Sequence, residues 1–453
     1  MDELIVSVSG LRGIVGTSLT AEVAVRYAEA FLATLPPGPV VIGRDGRASG
    51  RMFADAIAAA VVAAGRDVLD GDVAATPTVG ILVQEYGAAG GIQISASHNP
   101  PQYNGMKLFS AAGRVLTAEA GRRVLERFQQ PSPPVVAAEP GTLREVDGAA
   151  THVARVLARV DVDAIRRVRP RVWLDAGHGA GSCAARLLFE ALGCEATIAG
   201  GTPDGLFEHT PEPTEENLSG MLPQIAAAGA DVGFFQDPDA DRLAVATAEG
   251  RFIGEEATLP LAVEAVLAQT SGPVVVNCST SGMTAAVAAK HGADCSVSAV
   301  GEANVVDRML ATDAVIGGEG NGGVIDPRVV LVRDSIVGMA LVLERMCAGG
   351  NLQSVESLAS ALPTRAMLKT KVELGADARG PGLAAAFDRI EAAFPAASAS
   401  RLDGLRLDEE ATWVLVRASN TEPIVRIVAE ADTVEAAQAA VARASAALSA
   451  VGT

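Results

Sequence analysis

Ser97 stands in the run Ser95-Ala96-Ser97-His98-Asn99-Pro100, directly after the apolar stretch Gly91-Ile92-Gln93-Ile94. That stretch reads as a buried strand, so the hydroxyl is offered where strand gives way to loop. A serine there can be attacked or can carry phosphate. Asp237, Asp239 and Asp241 alternate along Asp237-Pro238-Asp239-Ala240-Asp241-Arg242. At a period of two they share a face if extended and converge if the loop curls, and oxygen ligands at this density suit a hard cation, Mg²⁺ or Ca²⁺. A solvated acidic turn, which Asp-Pro also favours, is the plainer alternative. Three carboxylates right after the apolar Val232-Gly233-Phe234-Phe235 are costly unless a cation neutralises them, which favours a metal site. An EF-hand is excluded because the loop lacks the Glu at its twelfth position; Glu249 fits only if counting starts one residue late, at Pro238.

Two further loops carry related chemistry. Gly317-Gly318-Glu319-Gly320-Asn321-Gly322-Gly323 is a flexible polar turn, and Arg417-Ala418-Ser419-Asn420-Thr421-Glu422-Pro423 offers a guanidinium, hydroxyls and turn amides to an anion. An ordinary hairpin with capping hydroxyls explains the second equally well. Arg12, in Gly10-Leu11-Arg12-Gly13, is flanked by glycines that permit close backbone approach to a ligand, and Lys107 follows the serine loop closely. His178, in Gly177-His178-Gly179, reads as a structural turn ahead of a helix, although phosphate binding is its alternative. Without a Gly-x-Ser-x-Gly elbow, triad hydrolysis through Ser97 is disfavoured.

The elements that must position these loops alternate short apolar runs with Ala/Leu-rich helical patterns, the signature of parallel sheets covered by helices. The fold class is α/β. At 453 residues several domains are expected. The first unit runs from Pro39-Val40-Val41-Ile42 through Gly43-Arg44-Asp45-Gly46-Arg47 into a helix capped near Ser49 and ending at Gly65. The proline-rich region from Gln129 to Ala150 reads as a surface connection and domain boundary. Strands Arg171–Asp175 and Pro273–Val276 open second and third units. In each unit a buried strand runs straight into a polar loop, and three such loops at carboxyl ends of strands can face one cleft. The last ~90 residues, with Trp413–Val416, Ile424–Val428 and a terminal Ala-rich helix, suggest a smaller α+β domain.

Composition narrows the functional classes. A hydrophobic fraction of 49% and a charged fraction of 20% describe a packed globular chain. The net charge of −18 opposes attachment to nucleic acid or anionic membrane, while a local basic cluster can still gather an anionic substrate. Five scattered cysteines with no CxxC suggest neither disulfides nor a thiolate zinc site. The start Met1-Asp2-Glu3 and the lack of a ~20-residue apolar segment point to a soluble, cytoplasmic protein, expected to work as a monomer or homodimer.

Together the four loops, in this order and at these separations, resemble the α-D-phosphohexomutase family, which includes phosphoglucomutases, phosphomannomutases and phosphoglucosamine mutases. The resemblance spans essentially the whole chain. It implies four domains around a central cleft, three related mixed α/β domains and a C-terminal TBP-like α+β domain, with divisions at 1–150, 151–252, 253–362 and 363–453. It further implies that Ser97 carries a phosphoryl group and joins Asp237, Asp239 and Asp241 on one Mg²⁺. Arg12, His98 and Lys107 would serve charge stabilisation and acid/base work, with Arg242 supporting the metal loop or the phosphate. Glu319 and Asn321 would meet the sugar, and Arg417, Ser419, Asn420 and Thr421 would hold its non-reacting phosphate. The implied reaction interconverts hexose 6-phosphate and hexose 1-phosphate through a bisphosphorylated sugar that turns over in the cleft.

Two departures bear on specificity. The family's sugar loop commonly reads Gly-Glu-x-Ser-Gly-His, whereas here Asn321 replaces the serine and no histidine follows; the start Ser7-Val8-Ser9-Gly10 lacks the usual Phe-Gly-Thr. The loops look most like archaeal phosphoglucosamine mutases, which makes glucosamine 6-phosphate the expected substrate. The phosphomannomutase and phosphoglucomutase activities are the alternative. An Mg²⁺-dependent sugar phosphatase is a further one, although it would not need the loop at Arg417.

Overall fold

A computed structural model describes residues 4–130, 133, 136–373, 381–418 and 424–449. The first unit holds seven strands: β1 (Ile5–Ser7), β2 (Gly10–Ile14), β3 (Val40–Arg44), β4 (Val68–Val73), β5 (Gly90–Ile94), β6 (Tyr103–Ser110) and β7 (Leu143–Glu145). They form one mixed sheet in the order β1-β2-β6-β5-β3-β4-β7. The second unit has β8 (Arg171–Asp175), β9 (Glu195–Ala199), β10 (Val232–Gln236) and β11 (Leu243–Thr247), ordered β11-β10-β8-β9. The third has β12 (Val274–Asn277), β13 (Cys295–Ser298), β14 (Ile316–Glu319) and β15 (Gly323–Ile325), ordered β13-β12-β14-β15. The chain ends in an antiparallel sheet of β16 (Ala366–Glu373), β17 (Ser398–Ser400), β18 (Leu405–Asp408), β19 (Trp413–Ala418) and β20 (Ile424–Ala431), backed by helices Pro381–Ala393 and Val434–Ser449.

The three α/β units share one device. In each, a wholly buried strand with a parallel neighbour turns through a polar loop and returns as an antiparallel strand: β5 to β6, β10 to β11, β14 to β15. Continuous apolar runs such as Val232–Phe235 suit strands buried on both faces. A single apolar cluster includes Val41, Val79, Val172, Leu188, Val274 and Leu341, so the three units pack around a common core and their loops are set rigidly against one another.

Two expectations need correction. The region between Gln129 and Ala150 is more than a connection, because β7 pairs parallel with β4 and adds an edge strand. Its residues Leu143, Arg144 and Glu145 are exposed and carry no apolar alternation; backbone pairing holds it, with Asp67 accepting from the Thr142 amide at 2.8 Å. Ser49 precedes the helix Gly50–Ala63 but makes no side-chain cap; its hydroxyl accepts from Asn104 Nδ2 at 2.9 Å instead.

Candidate active site

The serine loop is held from below. Ser95 Oγ donates to Asp45 Oδ2 at 2.6 Å and accepts from the Ser97 amide at 2.8 Å. Ser97 itself has φ +50°, a left-handed conformation that a residue with a Cβ adopts only under constraint. Its hydroxyl donates to Asp237 Oδ2 at 2.9 Å and lies 3.4 Å from His98 Nδ1. Burial, together with Arg242 and Arg12 nearby, pushes His98 down to about 3, so its ring is neutral near pH 7. Glu212 Oε1 lies 3.9 Å from His98 Nε2 and 4.0 Å from Arg242 Nη1.

Opposite the serine, Asp237, Asp239 and Asp241 are fully buried, with carboxylate oxygens within 4.8 Å of one another. Asp237 Oδ1 accepts from the amides of Asp241 and Arg242 at 3.1 Å each. Asp239 Oδ2 accepts from Thr76 Oγ1 at 2.5 Å and Lys107 Nζ at 2.6 Å, while Asp241 Oδ2 accepts from Lys107 Nζ at 2.7 Å and Arg333 Nη2 at 2.6 Å. Burial and the two neighbouring carboxylates raise Asp237 well above the usual range. Burial also opposes the charge on Asp241, but Arg333 and Lys107 overcome it and hold that group low. Burial likewise opposes the Lys107 ammonium, which Asp239 and Asp241 nevertheless keep above its ordinary value.

These residues fit a hard cation. Among the described residues, Asp239 Oδ1 and Asp241 Oδ1 are buried without a hydrogen-bond partner, and a buried carboxylate oxygen left unpaired calls for a positive ligand. Ser97 Oγ is tied to the same cluster through Asp237.

Glu319 is the last residue of β14 and not part of the following turn as the sequence suggested. Its carboxylate accepts from Asn277 Nδ2 at 2.8 Å, the Gly301 amide at 3.1 Å and Arg333 Nη1 at 2.7 Å. Asn321 Oδ1 is buried without a partner among the described residues. Arg333 also donates to Glu302 at 3.1 Å, so one guanidinium joins the aspartate loop to the glutamate strand.

Arg12 lies within β2 and donates to Asn99 Oδ1 at 3.2 Å. The glycines around it do not open space for a ligand: a Cβ on Gly10 would sit 2.2 Å from Met106 O, so that glycine lets β2 pack on β6. His178 takes the structural role, with φ +50° and Nδ1 2.8 Å from Asp204 Oδ1. Arg242 has its amide on Asp237 and its Nε 3.9 Å from Asp241 Oδ1. Arg417 Nη2 pairs with Asp403 Oδ2 at 3.1 Å. Ser419, Asn420 and Thr421 lie outside the described residues.

The structure thus brings Ser97, His98, Lys107, the three aspartates and Arg242 to one point, with Arg12 joined through Asn99 and Glu319 through Arg333. Sequence reasoning missed Asp45, Arg47, Thr76, Glu302 and Arg333. Three of these carried a local signal: Asp45 and Arg47 follow a buried strand as a polar loop, as Ser97 does, and Arg333-Asp334 closes the apolar run Val329–Val332.

Profiles of four domains match the chain in order: phosphoglucomutase/phosphomannomutase α/β/α domain I over residues 4–133, domain II over 150–250, domain III over 255–366 and the C-terminal domain over 368–447. A Thermococcus kodakarensis protein named phosphoglucomutase/phosphomannomutase is 37% identical over 95% of each chain. A Methanopyrus kandleri relative named probable phosphoglucosamine mutase is 32% identical over 95% of this chain and 94% of its own. The crystal structure of a Burkholderia thailandensis phosphoglucomutase/phosphomannomutase family protein superposes with TM-score 0.84 at 27% identity, covering 99% of this chain and 98% of that one. Aspergillus fumigatus N-acetylphosphoglucosamine mutase, solved with GlcNAc-6P and magnesium, shares the fold with TM-score 0.60 at 18% identity, covering 99% and 96%.

Proposed function

The chain belongs to the phosphoglucomutase/phosphomannomutase family and is a phosphohexomutase, and on that premise we propose that it moves phosphate between the 6- and 1-positions of glucosamine through Ser97. The observation that carries this reading is the 2.9 Å contact of the Ser97 hydroxyl with Asp237, beside two buried carboxylate oxygens that have no hydrogen-bond partner among the described residues. Ser97, Asp237, Asp239 and Asp241 would hold Mg²⁺, which when bound supplies positive charge beside the transferring phosphoryl group.

In the forward step the bond from phosphorus to Ser97 Oγ breaks as one forms to a sugar hydroxyl oxygen. The hydroxyl proton leaves to a nearby acceptor, for which His98, with Nδ1 3.4 Å from Ser97 Oγ, is a candidate beside Lys107 and Arg12. Arg12, Lys107 and Arg242 stabilise charge on the transferred group. The bisphosphorylated sugar then turns over, and its other phosphate returns to Ser97. Glu319 takes the sugar hydroxyls, and Arg417 with Ser419, Asn420 and Thr421 holds the phosphate that is not reacting. The partner is a small phosphosugar. Among the described residues no helix is long and apolar enough to cross a membrane.

For the sugar, Asn321 Oδ1, buried without a hydrogen-bond partner among the described residues, can accept from a C2 amine or a C2 hydroxyl, and the amine is favoured because relatives at 30–32% identity over 94–95% of their length carry the name probable phosphoglucosamine mutase. The Thermococcus kodakarensis relative at 37% identity supports glucose and mannose phosphates as the second reading. Assays of the purified protein on glucosamine, glucose and mannose 6-phosphates decide between them: the highest kcat/KM on glucosamine 6-phosphate is expected, and preference for mannose or glucose phosphate promotes the second reading.

A further inference from the structure

Arg47 lies beneath the serine loop, 2% exposed, with all five of its side-chain donors spent. Nε donates to Asp45 Oδ2 at 3.1 Å; Nη1 donates to the carbonyls of Pro100 at 2.8 Å and Tyr103 at 3.0 Å; Nη2 donates to the carbonyls of Ser97 at 2.7 Å and Asn99 at 2.5 Å. No donor remains for a ligand, so whatever Arg47 does for the reaction it does through the loop. One planar guanidinium therefore fixes four carbonyls in a stretch that must keep Ser97 left-handed. The cover over this guanidinium comes from the second unit. The Phe207 ring lies 5.0 Å from the Arg47 guanidinium carbon. The approach is close, since a Cβ on Gly46 would sit 2.2 Å from His178 O and one on Gly205 would sit 2.7 Å from Gly46 O.

We propose that Arg47 is a positioning residue for Ser97, its guanidinium covered by Phe207, so that the docking of the second unit on the first supports the reactive shape of the serine loop. This rests on the reading of Ser97 as the phosphoryl carrier. It makes Arg47 responsible for the rate of transfer at Ser97 and not for substrate affinity.

The test follows phosphoryl uptake from glucose 1,6-bisphosphate in a single turnover of the dephosphorylated full chain, well below the melting temperature of each variant, alongside steady-state kcat and KM. Arg47→Lys keeps the charge but offers three donors for five acceptors. It is expected to slow uptake and kcat about a hundredfold with KM nearly unchanged, as befits a small misplacement of the reacting oxygen. Phe207→Leu keeps an apolar cover without the ring face and is expected to slow uptake about threefold. Uptake by Arg47→Lys at the wild-type rate, even with a lowered melting temperature, overturns the proposal and leaves the Ser97 reading standing. If Arg47→Lys does not fold, Phe207→Leu decides, and a wild-type rate there overturns it. Wild-type protein that takes up no phosphate on Ser97 overturns the underlying reading instead.

Discussion

Asp239→Asn should separate folding stability from metal binding. At an effective dielectric of about 20 and the 4.8 Å limit, the ionised Asp241 repels Asp239 by roughly 3.5 kcal/mol, while Asp237, held well above the usual carboxylate range, adds little, so the neutral side chain relieves roughly 3.5 kcal/mol. Against this, the charge attraction of Lys107 Nζ at 2.6 Å, roughly 6 kcal/mol on the same scale, is lost. Release of the buried charge works against the remaining difference, and the metal-free variant should unfold within about 3 kcal/mol of wild type. Its response to Mg²⁺ should differ sharply. To keep acceptors toward Lys107 and Thr76, the amide must turn its NH₂ into the place of the unpartnered Oδ1, where a cation would be repelled. Wild type at a hundredfold excess of Mg²⁺ over Kd gains about 2.7 kcal/mol, whereas a site a hundredfold weaker gains about 0.4 kcal/mol at the same concentration. Denaturant unfolding with Mg²⁺ and with EDTA reads this difference directly. Turnover should fall on the order of a hundredfold or more with little change in KM. An equal Mg²⁺ gain in the variant, or turnover that survives excess chelator, refutes the reasoning.

Glu319→Ala leaves the Asn277 amide and the Arg333 guanidinium short of an acceptor and removes the proposed sugar contact; kcat/KM should drop roughly 5- to 150-fold, the equivalent of about 1–3 kcal/mol, for every hexose phosphate, and a loss confined to one sugar would contradict it. Asn321→Ser should shift the ratio of efficiencies away from glucosamine 6-phosphate toward the glucose and mannose compounds, and an unchanged ratio removes Asn321 from the account. Burial raises Glu256 from 4.5 to about 7 although Lys369 pulls the other way, so the folded chain binds the proton more tightly than the unfolded one. Stability from this group is present below pH 4.5 and lost as pH rises toward about 7; the melting temperature of wild type minus that of Glu256→Gln should therefore fall across this window, and a flat difference would rule the effect out.

What the sequence disclosed here follows from where the information sits. Ser97, the three aspartates and Glu319 each close or follow a buried strand, so an apolar run ending in polar residues marks them locally. Arg47 and Arg333 also stand just beyond apolar runs, but that mark gave their positions and not their partners. Arg47 bonds carbonyls 50 to 56 residues away, and Arg333 reaches Asp241 across 92 residues; neither partnership has a spacing to read. The left-handed turn at Ser97 was hidden for a related reason, because the residue is not glycine and only the surrounding bonds impose the conformation. Strand β7 was missed because an edge strand of exposed residues is specified by the backbone it pairs with. The reaction class was therefore readable from the four loops taken together through their family resemblance, while the framework that shapes them came only with the tertiary contacts.

The central claim is that Ser97 carries the phosphoryl group. Intact-mass analysis of the protein after incubation with glucose 1,6-bisphosphate and Mg²⁺, followed by peptide mapping, tests it most directly. One phosphate on Ser97, discharged when hexose 6-phosphate is added and absent from a folded, inactive Ser97→Ala variant, is the predicted result. Full mutase turnover by Ser97→Ala, or phosphate at another residue, would contradict the account.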